Sequence, residues 1–312
     1  MANAFEHYDP RFSGLLGEHA ELECLASPAI WAEGPVWLPR EDAVIFSDVK
    51  ANRMFRWGRD GSVHVFREQS NYANGNTLDR EGRLISCEHG RRGISRTGAD
   101  GIARIIVDRF DGKRLNSPND VVVKSDGSVW FSDPPYGIIG DVEGYKSESQ
   151  VIGCYVYRFD PGNETITAVA TDVQRPNGLA FSPDESRLYV ADMSLVEFPT
   201  QGRRHLAVYD VVGGVRLANP RVLAQIEPGI PDGFSVDRAG NIFCSCEDGI
   251  LVLDADGQRL GKICIPERVS NCTFGGTEEN ELFITATTSL YRVQLTTAGC
   301  QYTHLIDKNS RQ

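Results

Sequence analysis

Residues 117–133 read Ser117-Pro-Asn-Asp-Val-Val-Val-Lys-Ser-Asp-Gly-Ser-Val-Trp-Phe-Ser-Asp133. A polar residue, Asn119, opens an apolar run; a Ser-Asp-Gly-Ser turn follows; a second apolar run closes on an acid. Two apolar runs about a Gly-bearing turn make a β-hairpin. The same template recurs as Glu33-Gly-Pro-Val-Trp…Val-Ile-Phe-Ser-Asp48 and Asn74-Gly-Asn-Thr-Leu…Leu-Ile-Ser-Cys-Glu88. It returns as Asn177-Gly-Leu-Ala-Phe…Leu-Tyr-Val-Ala-Asp192, Asp232-Gly-Phe-Ser-Val…Ile-Phe-Cys-Ser-Cys-Glu247 and Asn271-Cys-Thr-Phe…Leu-Phe-Ile-Thr-Ala-Thr287. The leading polar residues lie 41, 45, 58, 55 and 39 positions apart. Each unit carries further short apolar strands, such as Met54-Phe-Arg-Trp57 and Val63-His-Val-Phe66. Four strands per ~40–50-residue unit is the blade of a propeller. The repeat therefore predicts an all-β fold: a six-bladed β-propeller with four-stranded blades around a central channel.

Working outward, residues 1–20 read as an N-terminal arm, 21–307 as the propeller and 308–312 as a C-terminal tail. No stretch keeps a convincing helical period, so helix is minor. Two segments compete to complete the last blade, Glu21-Leu-Glu-Cys-Leu-Ala26 and Gln301-Tyr-Thr-His-Leu-Ile306. Insertions at 134–153 and 193–205 stretch the third and fourth blades. Both fall between the second and third strands of a blade, which places them over the same face as the leading polar residues. Long Gly-bearing connections over a site are candidate lids.

The bulk properties exclude several classes. The 312 residues carry a formal charge of −11, which argues against a nucleic-acid partner, since those proteins present basic faces. No run approaches the ~18–20 apolar residues of a membrane span. The N-terminal stretch, with Glu6, Asp9 and Arg11, lacks the apolar centre of a signal peptide. The eight scattered cysteines include no C-x-x-C pair, and read as small buried hydrophobes in a reduced, cytoplasmic protein. No G-x-S-x-G, H-E-x-x-H or G-x-G-x-x-G signature occurs, so serine-hydrolase and nucleotide chemistry have no support. The acidic turns, such as Asp79-Arg-Glu-Gly82, lack EF-hand spacing and read as solvated loops.

The innermost strand of each blade begins at the channel mouth, so Glu33, Asn74, Asn119, Asn177, Asp232 and Asn271 converge on one axis. One Asn-Gly alone is a turn dipeptide. Six polar residues at one repeat position, two of them carboxylates, are not six identical turns. Two carboxylates confined together repel and lose solvation. A hard divalent cation relieves both, and calcium accepts such oxygens with loose geometry; zinc, manganese and magnesium are the alternatives. His89 follows the end of the second strand of blade two and, like Asn74, should lie near the mouth. Both are candidates for binding substrate, although a hydrogen-bonded structural histidine is the more common outcome at such a position. Tyr136, on the first insertion, either walls the pocket or packs.

Glu33-Gly-Pro-Val-Trp37, Ser117-Pro-Asn-Asp-Val-Val122, Phe131-Ser-Asp-Pro-Pro-Tyr-Gly137, Arg175-Pro-Asn-Gly-Leu179 and Pro231-Asp-Gly-Phe234 together resemble the gluconolactonase/regucalcin (senescence-marker protein) family. The likeness runs from about residue 20 to about residue 295, in blade order, and is nearest to the microbial gluconolactonases. It implies one divalent metal ion held by Glu33, Asn119, Asn177 and Asp232, and a lactonase acting on aldonolactones. It further implies Asp232 as general base. Residues 114–118 depart from the animal-type members, so the sugar contacts of that branch do not carry over. The expected partner is a small sugar lactone, with neither nucleic acid nor membrane, and the expected state is a monomer or small homo-oligomer. Two other readings stay open: a phosphotriester hydrolase at the same metal, and a non-catalytic calcium-stabilised scaffold, since propellers host unrelated functions.

Overall fold

The computed structural model describes residues 4–301. Six antiparallel sheets follow one another along the chain. The innermost strands of blades one to six are Ala32–Leu38, Ala73–Leu78, Val121–Val123, Pro176–Phe181, Phe234–Val236 and Val269–Gly275. Each pairs with the next strand in sequence, and the third and fourth strands continue outward. The inner strands of blades one and six also touch each other, so the ring is closed. The expected propeller is the fold found.

Closure is made by the N-terminal candidate. Leu22–Ala26 forms the outermost strand of blade six, pairing antiparallel with Ser289–Gln294 in a register that sets Leu22 opposite Val293. The chain's beginning thus joins a sheet built from its end. Of the competing segment only Gln301 lies within the described residues. The arm before the closing strand docks too: Phe5–His7 adds a fifth strand to blade five, opposite Arg259–Cys264. A short helix, Arg11–Leu16, follows and buries Phe12 and Leu16. A strand laid on that edge satisfies its backbone groups.

Both faces of each blade are covered by neighbouring blades, which is why the strands read as near-continuous apolar runs. Trp37, Trp130, Tyr157, Tyr189, Phe131, Phe243 and Phe283 are among the largest fully buried side chains. Cys87, Cys244, Cys246 and Cys272 are buried, Cys154, Cys264 and Cys300 are partly covered and Cys24 is exposed. Among the described residues no helix is long and apolar enough to cross a membrane.

The recurring acid at the end of the second strand has a local task. Asp48 Oδ1 accepts from the backbone N–H of Ile30 and Trp31, at 2.9 and 3.1 Å. Asp133 Oδ2 likewise accepts from Asn116 N at 2.8 Å. Asp192 accepts from Gln174 N and Arg175 N at 3.0 and 3.3 Å. In each case the acid pins the loop that delivers the chain to the axis, just ahead of the leading polar residue.

Candidate metal centre at the axial mouth

The inner strands do not run straight into the mouth. The register slips between Glu33 and Val36, Ala73 and Asn76, Pro176 and Leu179, and Val269 and Asn271. Such bulges bend a strand and re-aim its side chains. Of the four glycines that follow the polar residues, Gly34 has a positive φ, and the other three serve close approach alone. Gly75, Gly178 and Gly233 have no positive φ. A Cβ on Gly75 would stand 2.6 Å from the Asn119 carbonyl of the next blade, and one on Gly178 would collide with the Asp232 carbonyl. Adjacent blades touch backbone to backbone there, and this draws the polar side chains together.

All six leading residues are buried although all are polar: Glu33, Asn74 and Asn119 are 5% exposed, Asn177 4%, Asp232 8% and Asn271 6%. Glu33 accepts from Gly34 N at 3.1 Å. Burial, with the Asp232 carboxylate facing it, pushes its pKa well above the carboxylate range. Burial raises Asp232 to about 7, opposed by Arg268 and reinforced by Asp120 and Glu143. Crowding of this kind between two buried acids is relieved by a proton or by a cation held between them.

The carboxamides are held by their surroundings. Asn177 Nδ2 donates to Met193 Sδ at 2.7 Å, which leaves Oδ1 as the end for a cation. The Asn119 backbone is pinned by N–H to Ser132 O at 2.9 Å and by Gly75 N to its own carbonyl at 2.8 Å. Asn271 differs: its Oδ1 accepts from Cys272 N at 2.8 Å and its amide reaches Asp120, so it is engaged below the mouth. Among the described residues no three His, Cys, Asp or Glu side chains form a metal cluster. The axial donors are instead two carboxylates and amides, an all-oxygen set suited to a hard cation such as calcium. Glu33, Asn119, Asn177 and Asp232 fit that ion on these grounds.

The substrate-side candidates are placed as follows. Asn74 Nδ2 lies 3.4 Å from His89 Nε2, and His89 Nδ1 lies 2.9 Å from the Glu143 carbonyl. Because that carbonyl can only accept, Nδ1 carries the proton and Nε2 accepts from Asn74. His89 is wholly buried, which lowers its pKa to about 4 and keeps it neutral. It stands behind Asn74 and orients it. Tyr136 opens a short helix, Tyr136–Ile139, and the Asp232 charge acts on its buried hydroxyl.

Both insertions lie over the mouth. The first crosses from blade three to blade two, through the His89 contact and an edge-on pair of Tyr72 with Tyr145, centroids 5.3 Å apart. It carries Glu143, whose carboxylate meets Lys50 of blade one at 3.8 Å. Lys50 Nζ also stands 4.4 Å over the Trp31 ring, with Arg268 on the same indole. Glu143, Lys50, Arg268 and Asp120 escaped the repeat reading. Asp120 alone had a signal, an acid in the slot that four other blades give to glycine; the others sit on irregular segments with no repeat position.

Comparison with known proteins places the chain in a family. Residues 31–288 match the family described as SMP-30/Gluconolactonase/LRE-like region. A gluconolactonase of Zymomonas mobilis is 32% identical over 94% of this chain and 86% of its own length. A pentonolactonase of Haloferax volcanii is 31% identical, over 81% and 80% of the two chains. The crystallised gluconolactonase of Xanthomonas campestris superposes with a TM-score of 0.88 at 38% identity, covering 94% of this chain and 95% of that one. The chain belongs to the SMP-30/gluconolactonase/LRE-like family.

Proposed function

We propose that the protein is a metal-dependent lactonase of the gluconolactonase type, opening an aldonolactone to its aldonic acid. The observation that carries this reading is the pair of buried axial carboxylates, Glu33 and Asp232, bonded to no cationic side chain and flanked by carboxamides. The named lactonases among the relatives support the reaction class. When bound by Glu33, Asn119, Asn177 and Asp232, a divalent cation, calcium first, supplies Lewis acidity toward a carbonyl oxygen.

The chain's own groups do the rest. Asp232 accepts a proton from the attacking water, whose oxygen bonds to the lactone carbonyl carbon. The ring C–O bond then breaks, and its oxygen takes the proton back as the hydroxyl of the open acid. Asn74, held by His89, and Tyr136 border the same space and contact the sugar. The insertions narrow the mouth and exclude bulk water, which strengthens each polar interaction inside.

Proton release from glucono-1,5-lactone tests this directly. Wild type with added calcium should turn over, and Asp232→Asn should lose about 10²–10⁴-fold, the usual range for removing a general base. Full turnover by the variant, or by wild type in excess chelator, would overturn the reading. An aryl phosphotriester run in parallel separates the phosphotriesterase alternative. A second reading draws on the apolar side chains the insertions expose, among them Ile139, Val142, Ile152 and Val196. A folded, metal-stabilised protein without lactone turnover would favour that interaction scaffold.

A further inference from the structure

The two insertions meet beside blade four, around Arg175, which lies two residues before the metal-ligand candidate Asn177. Part of its guanidinium is committed. Nη2 donates to Glu197 Oε2 at 2.6 Å and Nη1 to the Gln174 carbonyl at 2.8 Å. The Phe198 ring covers it, with Cζ 5.0 Å from the centroid. What is left uncommitted is unusual. The Tyr136 hydroxyl, Arg175 Nε and Glu197 Oε1 are all shut off from solvent, and among the described residues none of the three has a hydrogen-bond partner. Arg175 and Glu197 are joined by their ion pair at 2.6 Å, and the charges acting on the Tyr136 hydroxyl include those of Asp232, Glu197 and Arg175.

Buried polar groups are almost always paired, and an unpaired one calls for an explanation. Three at one place, from three separate segments, are hard to ascribe to imperfect packing. They comprise two donors and one acceptor, and they adjoin the axial carboxylates. A sugar hydroxyl both accepts and donates, so two adjacent hydroxyls can satisfy all three groups at once. The pairing of carboxylate with guanidinium, already in place at 2.6 Å, fixes the acceptor before a ligand arrives.

We propose that Tyr136, Arg175 and Glu197 form a hydroxyl-reading subsite between the two insertions, selecting polyhydroxylated lactones over plain alkyl lactones. Tyr136 Oη and Arg175 Nε donate to the substrate hydroxyls, and Glu197 Oε1 accepts from one of them. An alkyl lactone leaves all three groups unpaired when it enters, which is how a site built for hydroxyls rejects an analogue lacking them. The assignment of substrate class rests on the lactonase reading above; the existence of a polyol-binding site does not.

The test compares glucono-1,5-lactone with δ-valerolactone in calcium-loaded wild type, Tyr136→Phe and Glu197→Gln. Calorimetric binding of the non-hydrolysable glucono-1,5-lactam gives a readout that needs no turnover. In each variant the loss of kcat/KM on gluconolactone should exceed the loss on δ-valerolactone by about tenfold or more, chiefly through KM, and the lactam Kd should rise in step. Equal losses on both lactones, or a lactam Kd that does not change, would overturn the subsite and leave these residues a structural role. If wild type opens neither lactone, the proposed function falls, and the lactam titration alone decides the subsite: weaker binding by the variants supports it, equal binding refutes it.

Discussion

At the scale of single residues, charge and burial decide the behaviour. Glu33 and Asp232 repel each other without a cation, so Glu33→Gln should act in opposite directions on two observables. Thermal unfolding in chelator should move to higher temperature, because a buried acid that must either stay charged beside Asp232 or take up a proton is gone. Calcium affinity should fall at least about tenfold, given that even changes outside the ligand shell cost 10–100-fold. A variant that loses stability in chelator would contradict the account. His89 gives a pH prediction. Its pKa is lowered from 6.5 to about 4 by burial. Between those values the unfolded chain binds the proton and the folded chain does not, so acid favours unfolding. The His89 contribution is therefore intact above pH 6.5 and lost as pH falls toward 4, by up to about 3 kcal/mol. Urea midpoints at pH 7.5 and 4.5 should drop further for wild type than for His89→Asn. Equal drops would show that His89 is not the source.

At the scale of elements, two glycines in different settings should respond with opposite sign. Gly178 stands where the inner strand of blade four touches blade five, and a Cβ there runs into the Asp232 carbonyl and the Gly233 Cα. Backbone on both sides cannot yield cheaply, so Gly178→Ala should cost about 1–3 kcal/mol, and metal binding with it, because Asn177 and Asp232 are displaced. Gly14 lies inside the helix Arg11–Leu16 with open space at its Cβ position. Gly14→Ala should stabilise by up to about 1 kcal/mol, the helix-propensity difference. Chemical denaturation of the two variants against wild type checks both. The same close approach explains why the Asn-Gly pairs of the repeat are not turns.

At the scale of the whole molecule, the ring is tied by one strand and, on the proposed reading, by one ion. Leu22–Ala26 joins the start of the chain to its last blade. A chain beginning at residue 29 leaves Ser289–Gln294 as a bare apolar edge, and should unfold without a single cooperative transition or aggregate. A sharp, reversible wild-type-like melt would show that closure lies elsewhere. Calcium at 100 times its Kd should stabilise the fold by about 2.7 kcal/mol, since it binds the native axis and not the unfolded chain. The effect should weaken below neutral pH, where protons compete for Glu33 and Asp232. A melting temperature indifferent to calcium and to chelator would remove the ion from the account.

The sequence by itself determined the blade count, the four-stranded unit and the polar residue that opens each inner strand. These follow from a repeat, and a repeat is legible because each copy answers to the same local physics of alternation and turn. The two buried acids among Glu33, Asn74, Asn119, Asn177, Asp232 and Asn271 were visible for the same reason. Tertiary structure alone decided that Leu22–Ala26 closes the ring, because either terminal segment had the apolar pattern of an edge strand. It alone turned Asn271 toward Asp120, set His89 behind Asn74, joined Arg175 to Glu197 and carried Glu143 across to Lys50. Those residues sit on connections that obey no period, and their meeting depends on blades far apart in sequence being neighbours around the axis.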